Sequence, residues 1–235
     1  MLKTLKAELY KLLHSRYIWV VAAAQLAMTG VMIYDMRMRE AVSGFQYAIY
    51  FMTYLMFFAG IIVGMAAGDD FDTRTYQHYL TGGKGRITYA ASKLIICALA
   101  NLFVAGLPLT VYGVTDLCND SLHEFNKPLW QVGLAIFFSI ITVSSVMVFI
   151  AFAVKNMGKT IIGSIMFVIF CLAFTAVEGA GLQLASAKVI PVLQPLIISS
   201  GKFDYSVPVM ILVDIIWIVA AICGIFAVFR RAELK

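Results

Sequence analysis

The chain alternates long apolar stretches with short polar ones. The apolar runs lie near residues 17–34, 47–67, 93–115, 130–154, 160–177 and 207–229, and about 20 mostly apolar residues suffice to cross a hydrocarbon core about 30 Å thick. Six such runs predict six transmembrane helices. Ahead of the first run, Leu2, Leu5, Leu9, Leu12 and Leu13 recur at helical spacing, with Lys3, Lys6 and Lys11 on the other side. Residues 1–16 therefore predict an amphipathic helix lying in the membrane interface, and Tyr17 and Trp19 follow at the depth where aromatic rings anchor a span.

Finer patterns sit inside the runs. Gly60, Gly64 and Gly68 fall four residues apart on one face of the second span, a spacing that lets another helix approach closely, within the subunit or between subunits. In the fourth span Ser139, Thr142 and Ser145 recur every three residues. Such a stripe either lines a pathway or bonds back to its own helix, the commoner use of helical hydroxyls. Residues 179–206 are apolar but broken by Pro191 and Pro195. They predict an interfacial or re-entrant segment packed on protein, since irregular backbone at membrane depth needs protein or water around it.

Composition agrees with this pattern. The chain is 62% apolar and 13% charged, whereas soluble domains are roughly half apolar and a quarter charged. Lys and Arg sort by loop: the N-terminal segment, the second and fourth loops and the tail hold most of them, against Arg37, Arg39, Lys127, Lys188 and Lys202 in the others. By the positive-inside rule both termini are expected in the cytoplasm. The net charge of +5 then reflects topology and anionic lipid, and no nucleic-acid partner is expected. A cleaved signal peptide is not expected either, because Ala22–Ala24 would leave an apolar core of Tyr17 to Val21 alone. Cys97, Cys171 and Cys223 lie inside spans, Cys118 stands by itself, and His14 and His78 are expected on the opposite side from His123. Neither a disulfide framework nor a metal site is expected from these spacings.

Catalytic patterns are weak. "AVKNMGKT", residues 153–160, formally matches a phosphate-binding loop, but such a loop follows a buried strand and opens a helix of a nucleotide-binding fold. Here it joins two lipid-length runs. No metalloprotease, nucleophile-elbow or paired-carboxylate pattern occurs, so no catalytic residue and no cofactor is assigned to this chain. Asp214 is the clear intramembrane carboxylate, roughly 10 Å along the sixth span from its start at 1.5 Å per residue. A carboxylate there costs too much to face lipid. It either ties span six to a neighbour or, with Ser139, Thr142 and Ser145, faces a substrate cavity.

The segment 68–92 gathers charge and turn residues between spans two and three. Asp70 or Asp72 can cap a helix, and Gly82-Gly83 supplies a left-handed stop, so residues 72–81 predict a short helix. Tyr76, Tyr79 and Leu80 form its apolar face, which must be covered by lipid headgroups or by a partner's groove.

The order Asp70-Phe71, Thr75, Leu80, Gly82, Arg86 and Lys93 resembles the loop after span two of type-two ABC transporter permeases. The ends "LKAELYKLLHSR" and "FRRAELK" are similar to that family's ends, and Gly85 stands where the family often has Ser or Asn. The resemblance implies one permease domain over residues 1–235, all-α and integral to the bacterial cell membrane, with a cytoplasmic coupling helix. It implies a homo- or heterodimer docked on two copies of a separate ATP-binding subunit, with ATP and magnesium held there. Asp70, Phe71, Asp72, Thr75, Tyr76, Tyr79, Leu80, Gly82 and Arg86 are the expected partner contacts. Permeases of this length are similar to lantibiotic-immunity and bacitracin-type exporters, which implies an amphipathic or hydrophobic substrate such as an antimicrobial peptide. The competing reading is a membrane scaffold or sensor that recruits a cytoplasmic protein through residues 70–86.

Overall fold

A computed structural model describes residues 2–37, 44–81, 85–118, 128–178, 188–200 and 206–231. Helices α1 (Leu2–His14) and α2 (Arg16–Arg37) are followed by α3 (Gly44–Leu55), α4 (Phe57–Val63), a π-helical turn (Gly64–Gly68) and α5 (Asp69–Asp72). Then come α6 (Thr75–Thr81), α7 (Arg86–Cys118), α8 (Leu129–Val154), α9 (Met157–Glu178), a 3₁₀ turn (Pro191–Leu193), α10 (Gln194–Ser200) and α11 (Val207–Arg231). No strand occurs among the described residues.

Among the described residues five helices, α2, α7, α8, α9 and α11, are long and apolar enough to cross a membrane. The second apolar run behaves differently. It is split into Gly44–Leu55 and Phe57–Asp72, which meet at 56°. At 1.5 Å per residue the first part reaches only about 18 Å, too short to cross by itself. The two parts together make a broken sixth span or a re-entrant hairpin. An unbroken helix over 47–67 is thus corrected to a bent pair.

α8 is the hub. Of its most apolar stretch 61% is buried within the chain, against 22–33% for the other four. It packs most extensively on α11 and α7, and also on α4 and α9. Val132, Ala135, Ile136, Val143, Met147 and Ala151 recur at helical spacing on its buried side. The outer helices keep apolar side chains such as Val31, Ile162, Phe170 and Ile216 exposed, as a chain surrounded by lipid requires.

The glycine ladder closes on its own chain. A side chain at Gly60 would strike Ser164, at Gly64 Ile161, and at Gly68 the Met157 backbone. The seam therefore joins the second apolar run to α9 inside the subunit.

The expected helix 72–81 is interrupted. Thr73 ends α5, Arg74 takes a left-handed φ of 56°, and only Thr75–Thr81 forms α6. Gly82 and Gly83 lie outside the described residues, as do His123 and half of 179–206; of Leu80 and His78 only the backbone is described.

Candidate functional site

The end of the bundle that carries the N-terminus holds a buried charge cluster. α1 supplies Glu8 and Lys11, α5 supplies Asp70, and the first two turns of α7 supply Tyr89 and Lys93. Lys93 Nζ lies 2.6 Å from Asp70 Oδ2 and 2.7 Å from Glu8 Oε2. It also donates to the Ala66 carbonyl, 2.9 Å away in the π-helical turn. Lys11 Nζ donates to Asp70 Oδ1 at 2.9 Å, and Tyr89 Oη donates to Asp70 Oδ2 at 3.1 Å. Glu8, Asp70 and Lys93 are buried, while Lys11 keeps half its side chain in solvent. Two carboxylates and two ammonium groups balance, which is how charge survives away from water.

Local structure explains why these groups meet. The π turn puts the Asp69 N–H onto the Gly64 carbonyl, five residues back. A wider turn of this kind displaces carbonyls from the α-helical ladder, and it frequently sits at functional sites. One carbonyl inside it, that of Ala66, receives Lys93. On α1, Glu8 stands between the half-buried Leu5 and Leu12, whereas Leu9, Tyr10 and Leu13 are exposed. The inward face of the amphipathic helix is thus centred on its carboxylate.

An aromatic layer roofs the cluster. Phe71 meets Phe152 edge-on at 5.2 Å and Tyr76 at 5.3 Å, and Tyr79 meets Tyr89 at 5.6 Å. Burial, with a hydrogen bond to Glu8, raises the Tyr79 phenol above its ordinary range. The apolar face expected to await lipid or a partner is therefore corrected: Tyr76 and Tyr79 pack into their own chain. Asp70 and Phe71 are also inside. Of the expected contacts, Thr75 and Arg86 stay half-exposed, and Thr73, Arg74 and Ile87 join them at the surface.

Asp72 has a different task. Its Oδ2 accepts the Met157 N–H at 2.8 Å and its Oδ1 accepts Asn156 Nδ2 at 2.8 Å. It caps α9 rather than α6, satisfying a free N–H at that helix N-terminus from a distant part of the chain. This occupies the middle of the phosphate-loop look-alike, which is a tight reversal in which Lys155 adopts a left-handed φ of 54°.

Lys93, which opens the third apolar run, is a buried ion-pair residue. Glu8 and Tyr89 were not singled out from sequence. Their signal was a carboxylate interrupting a leucine stripe and a lysine within apolar helix, two unlike charges in need of each other. A cavity of about 50 Å³ adjoins the cluster between Lys11, Leu12, Ile18, Ile62 and Ile96.

Of the proposed cavity residues Asp214, Ser139 and Thr142 lie away from the cluster, where Thr142 Oγ1 reaches the Asp214 carbonyl at 3.4 Å, and Ser145 bonds within α8. Asp214 is fully buried on α11, and its Oδ1 accepts Gln194 Nε2 at 3.0 Å. Ser139 Oγ donates to the Pro191 carbonyl at 2.8 Å. Thr142 and Ser145 donate to Phe138 and Ile141, one turn back in α8. These side chains are engaged within protein, so the stripe is chiefly back-bonded and bridging. Trp217 Nε1 donates to the Val189 carbonyl, and Gln46 Nε2 to that of Ser199. Among the described residues no group of His, Cys, Asp and Glu is arranged to hold a metal.

No protein-family model matches the chain, and no curated protein matches it either. Fold and site define a class: a multi-pass helical membrane protein whose terminal amphipathic helix is locked to the bundle by buried charge.

Proposed function

We propose that the chain is the membrane subunit of an ABC exporter, a type-two permease crossing the bacterial membrane six times with both termini in the cytoplasm. It moves an amphipathic or hydrophobic substrate, such as an antimicrobial peptide, out of the membrane. Two copies pair, or one pairs with a related subunit, and each docks on a separate ATP-hydrolysing subunit that holds ATP and magnesium.

The buried cluster is the observation that carries this reading. A permease driven by another polypeptide needs a stiff connector between the docking surface and the spans. Residues 69–81 are joined to α1 and α7 through Asp70, and to α9 through Asp72. A displacement of the Thr73–Thr75 turn is then passed to several helices at once, and discrete packed elements are what carry coupling between sites. The docking surface is Thr73, Arg74, Thr75, Arg86 and Ile87, with the tyrosines as its foundation.

The test is capture of a tagged chain from its native cells, with the ATP-hydrolysing subunit that co-purifies quantified. Arg74→Glu with Ile87→Glu should leave the protein inserted and weaken co-purification at least tenfold, as loss of interface anchors worth about 2 kcal/mol does. Unchanged capture sinks the docking surface. Capture of a partner without ATPase activity favours the scaffold reading instead.

A further inference from the structure

At the end of the bundle away from the charge cluster, Gln194 and Asp214 are joined at one corner. Gln194 Nε2 donates to Asp214 Oδ1 at 3.0 Å. Both residues are fully buried. Each has one oxygen without a donor: Asp214 Oδ2 and Gln194 Oε1. An ionised carboxylate and an amide carbonyl are both acceptors, so neither can satisfy the other. One proton on Asp214 Oδ2 removes the conflict. The acid then donates to Gln194 Oε1 while the amide donates to Asp214 Oδ1, closing a ring of two hydrogen bonds.

We infer that Asp214 carries a proton in the folded protein, and that the Asp214–Gln194 pair is a proton-binding site latching α11 to the Pro191–Ser200 segment.

Among the described residues none is placed to neutralise Asp214; Lys188, beside the Val189 carbonyl that Trp217 holds, is exposed. Among the described residues Asp214 makes no ion pair. α8, against which α11 packs most extensively, has no acidic, basic or histidine side chain, nor has the 191–200 segment. α7 places Arg86, Tyr89 and Lys93 toward the opposite end, Cys97 within the core, and Tyr112, Asp116 and Cys118 near its other terminus, where Asp116 accepts the Phe45 N–H. α9, which packs on the 3₁₀ turn, has Lys159 near one end and Glu178 at the other, with Cys171 between them. On α11 itself Arg230 and Arg231 lie more than four turns away. A buried charge without a partner is avoided by neutralising the group.

The latch is one of several on the same segment. Ser139 holds the Pro191 carbonyl, Trp217 the Val189 carbonyl and Gln46 the Ser199 carbonyl. Those three bonds need no proton from solution. Asp214–Gln194 does, because removing it sets carboxylate against carbonyl oxygen and opens that corner. The attachment of this segment to α11 is thus linked to proton binding, whatever the chain transports.

Infrared spectroscopy of the intact chain in lipid nanodiscs at pH 7 tests this. The expected result is a protonated-acid carbonyl stretch that vanishes in Asp214→Asn. A wild-type minus Asp214→Asn difference showing carboxylate bands and no acid carbonyl overturns the proposal. Gln194→Leu keeps the carboxyl and should shift the acid band by removing its partner; an unshifted band overturns it as well. In melting experiments Asp214→Asn, which rebuilds both corners as an amide pair, should hold the wild-type midpoint where Asp214→Leu loses it. Equal loss from both variants counts against the proton.

Discussion

Lys93 Nζ stands 2.6 Å from Asp70 Oδ2 with no more than 1% of either side chain exposed, so each charge depends on the other for its stability away from water. Removing one member of a buried pair costs about 3–5 kcal/mol, because the remaining charge stays buried. Lys93→Met should therefore lower the melting midpoint strongly, leaving Asp70 and Glu8 facing each other. Adding Asp70→Asn and Glu8→Gln to it should restore much of the loss, since the uncompensated carboxylates are gone. Lys11→Met is the control. Its side chain is half in solvent and Asp70 keeps Lys93 when it is removed, so its loss should cost clearly less than that of Lys93. Equal damage from Lys11→Met and Lys93→Met in nanodisc melting would show that burial is not what makes the cluster strong.

Asp72 predicts a coupling between distant segments. Asp72→Ala frees the Met157 N–H and the Asn156 amide, and loss of a capping side chain costs about 1 kcal/mol. Asn156→Ala removes part of the same arrangement, so the two changes should be less than additive. A double-mutant cycle on the melting midpoint reads this directly, and residues in one network typically interact by about 0.5–3 kcal/mol. Strict additivity would mean that Asp72 and the α9 terminus do not support each other.

The spans were largely legible in the sequence because lipid imposes one simple rule on them. The run expected at 130–154 is Leu129–Val154, and that at 160–177 is Met157–Glu178. The break at Met56 and the π turn were invisible, since an apolar run reads the same whether straight, bent or wide-turned. The cluster was hidden for another reason. Lys93 and Glu8 lie 85 residues apart, and each alone resembles an ordinary interfacial charge; only packing α1 against α7 turns them into a pair. The amphipathicity of Tyr76 and Tyr79 was readable, but not what covers them. Their partners, Phe71 and Tyr89, come from different helices on either side of α6.

Orientation has a direct test in the native cysteines. Cys118 is exposed at the end of α7, Cys97 and Cys171 are buried, and Cys223 lies within α11. With the N-terminus in the cytoplasm, an impermeant thiol reagent applied to intact cells should label Cys118. In a Cys118→Ala background, Lys155→Cys should react only after the membrane is opened. Labelling of Lys155→Cys in intact cells inverts the topology, and with it the docking surface.

The glycine seam allows the sharpest contrast between positions of one residue type. At Gly68 an added Cβ would lie 2.8 Å from the Met157 Cα, and backbone cannot rotate aside. At Gly60 and Gly64 it would meet Ser164 and Ile161 side chains. At Gly106 and Gly133 it would meet nothing within 4 Å. Helix propensity alone favours Ala over Gly by about 1 kcal/mol inside a helix. Gly106→Ala and Gly133→Ala should therefore keep or raise the melting midpoint, while Gly68→Ala should lower it by about 1–3 kcal/mol of overpacking. Gly64→Ala should fall between, because Ile161 is a side chain with other rotamers. Pairing Gly64→Ala with Ile161→Ala should recover part of its loss, whereas Met157→Ala leaves the offending Cα in place and should not rescue Gly68→Ala. A Gly68→Ala protein as stable as Gly133→Ala would mean that α9 does not pack this closely on the second apolar run.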